Sequence, residues 1–290
     1  MVLALQVGLW LIAIGFAAAF VDAWRKAGVR GTMPEAVALG AVTDFLDTLG
    51  IGSFAPTTAY LRLRRMVPDD HIPAVLNVGH ALPTIAEALI FIALVDVSPM
   101  LLVACIGAAV AGALVGAPLV VRMPVRLLQG VVGAALLVAA GLFILSNLDL
   151  LPAGGDARDL SGTGFVVAVA AHAVLGALMT AGIGLYGPSL ALLSLMGLDP
   201  KAVFPIMMGA CAFLMPASGF RFVRSARIDF RVALGLTLGG IPGVLVAAYI
   251  VRELPLDALR WLVAAVVLYT ALVMLNAARR PATAAAPATD

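Results

Sequence analysis

Gly50-Ile51-Gly52-Ser53-Phe54-Ala55-Pro56-Thr57 decides the fold of this chain, because the same punctuation returns 132 residues later as Gly182-Ile183-Gly184-Leu185-Tyr186-Gly187-Pro188-Ser189. Glycines and a proline inside apolar sequence stop a helix. In hydrocarbon such a break is tolerated only where the freed backbone is buried in protein or lines a polar cavity. Its recurrence at a fixed spacing implies two copies of one unit and a site where the copies meet.

The sequence around both breaks is apolar. Hydrophobic residues make up 63% of the 290 and charged ones 12%, with a mean hydropathy of +1.10, which excludes a soluble domain with a wetted surface. The apolar runs are about 20 residues long, enough to cross a ~30 Å hydrocarbon core as helices, and none alternates with the period of a barrel strand. The expected fold is therefore an all-α polytopic membrane protein. The net charge of +2 comes without any aromatic-basic face suited to nucleic acid. Cys105 and Cys211 lie inside apolar runs with no CxxC spacing, which argues for buried thiols and against a disulfide framework or a zinc site.

Residues 2–21 form an apolar run with no cation ahead of it. Although Ala17-Ala18-Ala19 is compatible with a cleavage site, the run is long enough to span and is read as a retained helix. With its basic loop it makes a first segment, 1–33. Pro34 opens a helix that reaches about Leu49 and the first break, and a short arm then ends in Arg62-Leu63-Arg64-Arg65. Spans at about 72–95, 99–121 and 124–146 complete a first repeat, 34–146.

A Gly- and Pro-containing linker with three Asp and one Arg, 147–162, leads to the second repeat, 163–276. That copy has arms on either side of the break at 182–188 and spans at about 201–224, 229–251 and 255–276. Pro73 aligns with Pro205, Leu82 with Leu214 and Gly107 with Gly239, and Pro124 aligns with Pro255 after a one-residue slip. The tail 277–290 lacks the apolar bulk to pack and is expected to be disordered.

Cytoplasmic loops collect Lys and Arg. If each broken segment is a re-entrant hairpin, the basic loops at 25–30 and 62–65 share a side with Arg122, Arg126, Arg221, Arg224, Arg227, Arg231, Arg279 and Arg280. Fourteen of the eighteen cations then lie inside, leaving Arg158, Lys201, Arg252, Arg260 and the acidic linker outside. Seven crossings and two hairpins result, with inverted repeats, an arrangement that places a transport site near the midplane. Four crossings per copy would give parallel repeats and a poorer sorting of charge.

Exposed backbone N–H groups and helix N-termini at the breaks can hold an anion without a cationic side chain. The candidate substrate ligands are Gly50, Gly52, Ser53 and Thr57 in the first copy and Gly182, Gly184, Gly187 and Ser189 in the second. The bland alternative is that the glycines only let helices pack closely. Asn77, His80, Thr84 and Glu87 recur at intervals of 3, 4 and 3, forming one polar stripe on a helix. Asn77 and His80 join the substrate candidates.

Asp44 and Asp47 sit one turn apart in the first arm. The second copy carries Gly176, Met179, Gly209, Ala212 and Gly219 where Asp44, Asp47, Asn77, His80 and Glu87 stand, so the fold does not need the ionisable set. Asp44, Asp47, His80 and Glu87 are accordingly candidates for proton coupling, against a register-fixing hydrogen-bond network as the structural alternative. His172, with no acid at helical spacing, is set aside as a packing residue.

Taken together, Thr43-Asp44-Phe45-Leu46-Asp47-Thr48 running into the first break, Asn77-Val78-Gly79-His80, the second break, and Arg224-Ser225-Ala226-Arg227-Ile228-Asp229-Phe230-Arg231 resemble the TauE/SafE sulfite and organosulfonate exporter family. The resemblance covers 34–276, and the second half is the better match. Both breaks depart from the family's fuller glycine run, with Ser53-Phe54 and Leu185-Tyr186 in place of glycines.

The resemblance implies a permease of the bacterial inner membrane moving small sulfur-containing anions outward. No catalytic residue, metal or cofactor is expected, and a homodimer is left open. No P-loop is present, so energy must come from a gradient. The alternative is an intramembrane metal-dependent enzyme, or a cation carrier, in which Asp44, Asp47, His80 and Glu87 ligate a metal.

Overall fold

In the computed structural model, which describes residues 2–120, 124–148, 150, 155–179, 183–224 and 228–279, the described elements are helices joined by short loops, with one isolated bridge between Ala157 and Leu198. The N-terminal helix α1 is Val2–Lys26. The first broken segment is α2 (Pro34–Thr48) and α3 (Phe54–Arg64), followed by α4 (Ile72–Gly79), α5 (Ala81–Leu94), α6 (Pro99–Val120) and α7 (Val125–Asn147). The second is α8 (Gly162–Met179) and α9 (Tyr186–Leu195), followed by α10 (Pro200–Val223), α11 (Phe230–Glu253) and α12 (Leu256–Arg279). Among the described residues seven helical stretches are long and apolar enough to cross a membrane: α1, Asp69–Leu94, α7, α8, α10, α11 and α12. The tail beyond Arg279, and Arg122, Arg227 and Arg280 of the basic set, lie outside the described residues.

The first break is built by glycine. Gly50, at φ +91°, turns the chain so that its N–H reaches the Asp47 carbonyl and the Ile51 N–H reaches that of Leu46, which satisfies two orphan carbonyls of α2. In the second copy Ile183 donates to Leu178, the equivalent bond. After each break the return helix starts the same way, with Thr57 N–H to Ser53 O and Ser189 N–H to Leu185 O.

Both broken segments fold back on themselves. Glu35, in the first turn of α2, accepts hydrogen bonds from Arg64 and Tyr60 near the end of α3, each at 2.8 Å. Likewise Gly164 at the start of α8 lies against Met196 just past α9. α8 is thus long enough to span, yet α9 returns the chain to the end where α8 began.

The expected span at 72–95 bends at His80. Pro83 has no N–H to give the Gly79 carbonyl four residues back, so that carbonyl accepts instead from the Thr237 hydroxyl of α11 at 2.7 Å. The bend separates α4 from α5 and turns their faces.

The repeats exchange elements. The most extensive interfaces are α2 with α11, α6 with α8, and α7 with α12. The first arm of each copy thus packs on the next-to-last helix of the other, and the two last helices pack on each other. Gly235, Gly239 and Gly243 recur every fourth residue on α11, and any side chain there would strike the backbone of residues 33–41. Corresponding contacts repeat across the copies. Ala41 meets Gly243 as Ala173 meets Gly112, and Asp44 meets Gly240 as Gly176 approaches Ala109. These pairs put the one-residue slip ahead of α6, not after it, so Gly107 is not the partner of Gly239; a Cβ on Gly107 would meet nothing.

Candidate functional site

Asp44, on the buried face of α2, is wholly enclosed, and its two carboxylate oxygens lie 2.8 and 2.9 Å from His80 Nδ1. Gly240 of α11 leaves the space this carboxylate fills, since a Cβ there would meet Asp44 Oδ2. The bend at the α4–α5 junction sets His80 so that Nε2 reaches the Thr57 hydroxyl, on the first turns of α3, at 3.1 Å. Carboxylate, imidazole and hydroxyl thus form a chain from α2 through α5 to α3. The Phe54 ring packs at 6.2 Å from the imidazole.

A second chain crosses between the repeats. Glu87, one face further along α5 and fully buried, accepts from Thr48 Oγ1 at 2.8 Å and from Tyr186 OH at 2.9 Å. Tyr186 is the first residue of α9, so this bond ties the return helix of the second repeat to the acid of the first. Asp47, 4% exposed, accepts the Ser53 N–H at 2.7 Å and so bridges the break it precedes. Thr84, buried between His80 and Glu87 along α5, has a hydroxyl with no partner.

The second repeat supplies its own imidazole. His172 Nε2 lies 3.0 Å from the Ser189 hydroxyl, while Nδ1 faces the Ala168 carbonyl at 2.8 Å. Ser189 and Thr57 are equivalent positions on the two return helices. Each is met by a histidine, one backed by a carboxylate and the other by a backbone carbonyl.

The sequence-derived candidates therefore separate. Asp44, Asp47, Ser53, Thr57, His80 and Glu87 converge around the first break, and Ser189 stands at the second. Asn77 does not join them. Its amide donates to the Pro73 carbonyl and its oxygen accepts from Ser218 of α10, because the bend at His80 turns α4 away from the stripe.

Gly187 sits under Thr270 of α12, where a side chain would clash, so it serves close packing. Gly50 makes the turn. Gly52 and Gly184 both face open space, but only Gly52, at φ +90°, needs to be glycine for its backbone. Gly182 lies outside the described residues. From the sequence, Thr84 enters only as a member of the stripe and Tyr186 only as bulk in the second break, His172 is set aside as a packing residue, and Gly240 is not named. Only Ser189, as the counterpart of Thr57, offered a route to His172.

Among the described residues no three His, Cys, Asp or Glu side chains gather as a metal would require. Cys105 and Cys211 are free and buried, as the spacing implied. Asp229, in the basic motif before α11, caps that helix by accepting from the N–H groups of Arg231 and Val232.

No curated protein and no solved structure matches the chain significantly. The family model for the sulfite exporter TauE/SafE matches residues 164–289, from the first turn of α8 onward. That is the half whose residues carried the better resemblance. The matched stretch takes in α8, α9 and the three long helices after them, so this part of the membrane protein is similar to the TauE/SafE sulfite exporter family.

Proposed function

We propose that the chain is a proton-coupled secondary transporter, an exporter of small sulfur-containing oxyanions such as sulfite or organosulfonates, built from two inverted repeats in the bacterial inner membrane. The observation that carries the reading is the convergence of two broken, folded-back helices on one buried polar cluster, joined across the repeats by Tyr186 and Glu87. The family match supports the transport role and the substrate class.

Three supports bear on the topology. The α2–α3 ends meet beside α1 and the start of α11, where Met33 and Ala36 lie against Gly235 and Phe20 packs on Phe230. The α8–α9 ends meet the linker at the opposite end of the bundle, where Ala157 donates to Gly197 and Ser98 donates to Arg158. The first end carries most of the cations, which makes it cytoplasmic.

Proton coupling follows from charge. Asp44, Asp47 and Glu87 are three buried acids served by one imidazole, and an oxyanion entering beside ionised Asp47 and Glu87 would be repelled in a medium of low dielectric. Protons arriving with the anion remove that repulsion. The same excess of acids would favour a cation carrier, the second reading, although the acids and histidine do not gather into a metal-ligating group.

Uptake into inside-out vesicles of sulfite, thiosulfate, sulfoacetate, taurine and sulfate, with internal pH recorded, separates the two. Substrate-driven proton movement supports the exporter. Dependence on a divalent cation with no anion-driven proton flux overturns it in favour of the cation carrier.

A further inference from the structure

We infer that Thr57 is the positioning residue through which a proton on the Asp44–His80 pair becomes affinity for the anion. This rests on the transport reading above. Asp44 can share only one proton with His80 Nδ1, across 2.8 Å. With that single proton on the pair, Nε2 is a bare acceptor, and the Thr57 hydroxyl 3.1 Å away donates its hydrogen to the ring. Thr57 then has nothing to offer an anion.

A second proton changes this wherever it settles. If the imidazole is doubly protonated, or if Asp44 holds its proton and the imidazole carries the other, Nε2 bears hydrogen in both cases. It then donates to Thr57 Oγ1, and the hydroxyl hydrogen is released. The first turn of α3, which holds Thr57, follows directly on Gly52, whose Cβ side is open. An oxyanion there accepts from the hydroxyl and from the first-turn N–H groups of Phe54 and Ala55, since the Ser53 N–H is held by Asp47 and Pro56 has none. One proton and one anion therefore bind together.

The surroundings contain no rival switch on the ring. His80 faces Asp44 and the charge of Asp47 from α2, and Thr57 and the Phe54 ring from α3, while Glu87 lies about two turns further along α5. Cys211 of α10 and Tyr186 of α9 belong to the Asp47–Glu87 side, and among the described residues α11 brings Gly240 against Asp44, and Thr237, Leu236 and Ala233 against Gly79, none of them titratable. In the second repeat His172 has a carbonyl in place of the carboxylate, so no acid holds a proton on that ring, and the Ser189 hydroxyl stays committed to it.

The test uses the full-length protein in nanodiscs and equilibrium binding of methanesulfonate, which keeps one negative charge from pH 5 to 9, with sulfite as a second probe. Each proton taken up with the anion gives about a tenfold fall in affinity per pH unit on the alkaline side. Thr57→Val is expected to lower that slope by one proton per anion, and Thr57→Ser to restore it. His80→Gln, whose amide can donate to Thr57 at every pH, is expected to remove the same unit and serves if Thr57→Val does not fold.

An unchanged slope in Thr57→Val, or in His80→Gln where that variant stands in, overturns the switch while leaving the anion reading intact. If the wild type binds neither probe at any pH, the anion reading fails and the switch falls with it.

Discussion

Gly52 and Gly184 occupy equivalent places in the two breaks, and both have empty space where a side chain would go, so sterics cannot distinguish them. Backbone conformation does. Gly52 at φ +90° lies in the left-handed region, where an L side chain costs ~1–3 kcal/mol, whereas Gly184 has no such φ. Gly52→Ala is expected to lower the melting temperature in detergent and Gly184→Ala to leave it nearly unchanged; equal shifts would contradict the described turn. Thr237 invites a second measurement, since its hydroxyl donates to the Gly79 carbonyl that Pro83 leaves open. Thr237→Val removes that donor and should cost about 1–3 kcal/mol, while Thr237→Ser should cost much less, both read from thermal unfolding.

At the scale of elements, the broken segments could be read from sequence because glycine and proline act on the backbone directly. Their geometry at a break needs no knowledge of what packs against it. The polar stripe could be read only in part. Helical spacing placed Asn77 with His80 and Glu87, and it would have been right for a straight helix. The missing N–H of Pro83 bends the segment and hands Asn77 to Ser218. His172 escaped because the two imidazoles reach equivalent hydroxyls from non-equivalent places, the α4–α5 junction in one copy and α8 in the other, so no alignment of the copies pairs them.

The hairpin of α2 and α3 carries its own pH dependence. Hydrogen bonds from Arg64 and Tyr60, with the positive charge of Arg64 adding to them, hold the Glu35 carboxyl below its ordinary 4.5. A lowered value in the closed form means that the latch is fully present above 4.5 and is lost as the pH falls through the folded value. Trypsin cleavage at Arg62, Arg64 and Arg65 is unsuited to such acid. Labelling by a thiol reagent active in acid, at a cysteine replacing Leu61, which is wholly buried in α3, is expected to rise below pH 4.5 in the wild-type background and to be high at all pH values in Glu35→Gln.

At the scale of the whole molecule the proposal of inverted copies can be tested at α7 and α12, because on that reading each is the other's counterpart. A helix and its counterpart run parallel if the repeats share an orientation and antiparallel if one is inverted. Gly130 near the start of α7 lies against Ala278 near the end of α12, and a Cβ on Gly130 would stand 3.8 Å from that of Ala278. Three residues on, Gly133 lies against Met274 and Leu275, so the partner number falls as the α7 number rises. A Cβ separation of 3.8 Å is the mean for a disulfide. In a background where Cys105 and Cys211 are replaced, Gly130→Cys with Ala278→Cys should therefore cross-link under mild oxidation, seen as a mobility shift reversed by reductant. Gly130→Cys with Trp261→Cys should not, since Trp261 is at the far end of an antiparallel α12. The opposite outcome, cross-linking to position 261 and none to 278, is what parallel repeats require, and it would remove the inverted architecture on which the midplane site depends.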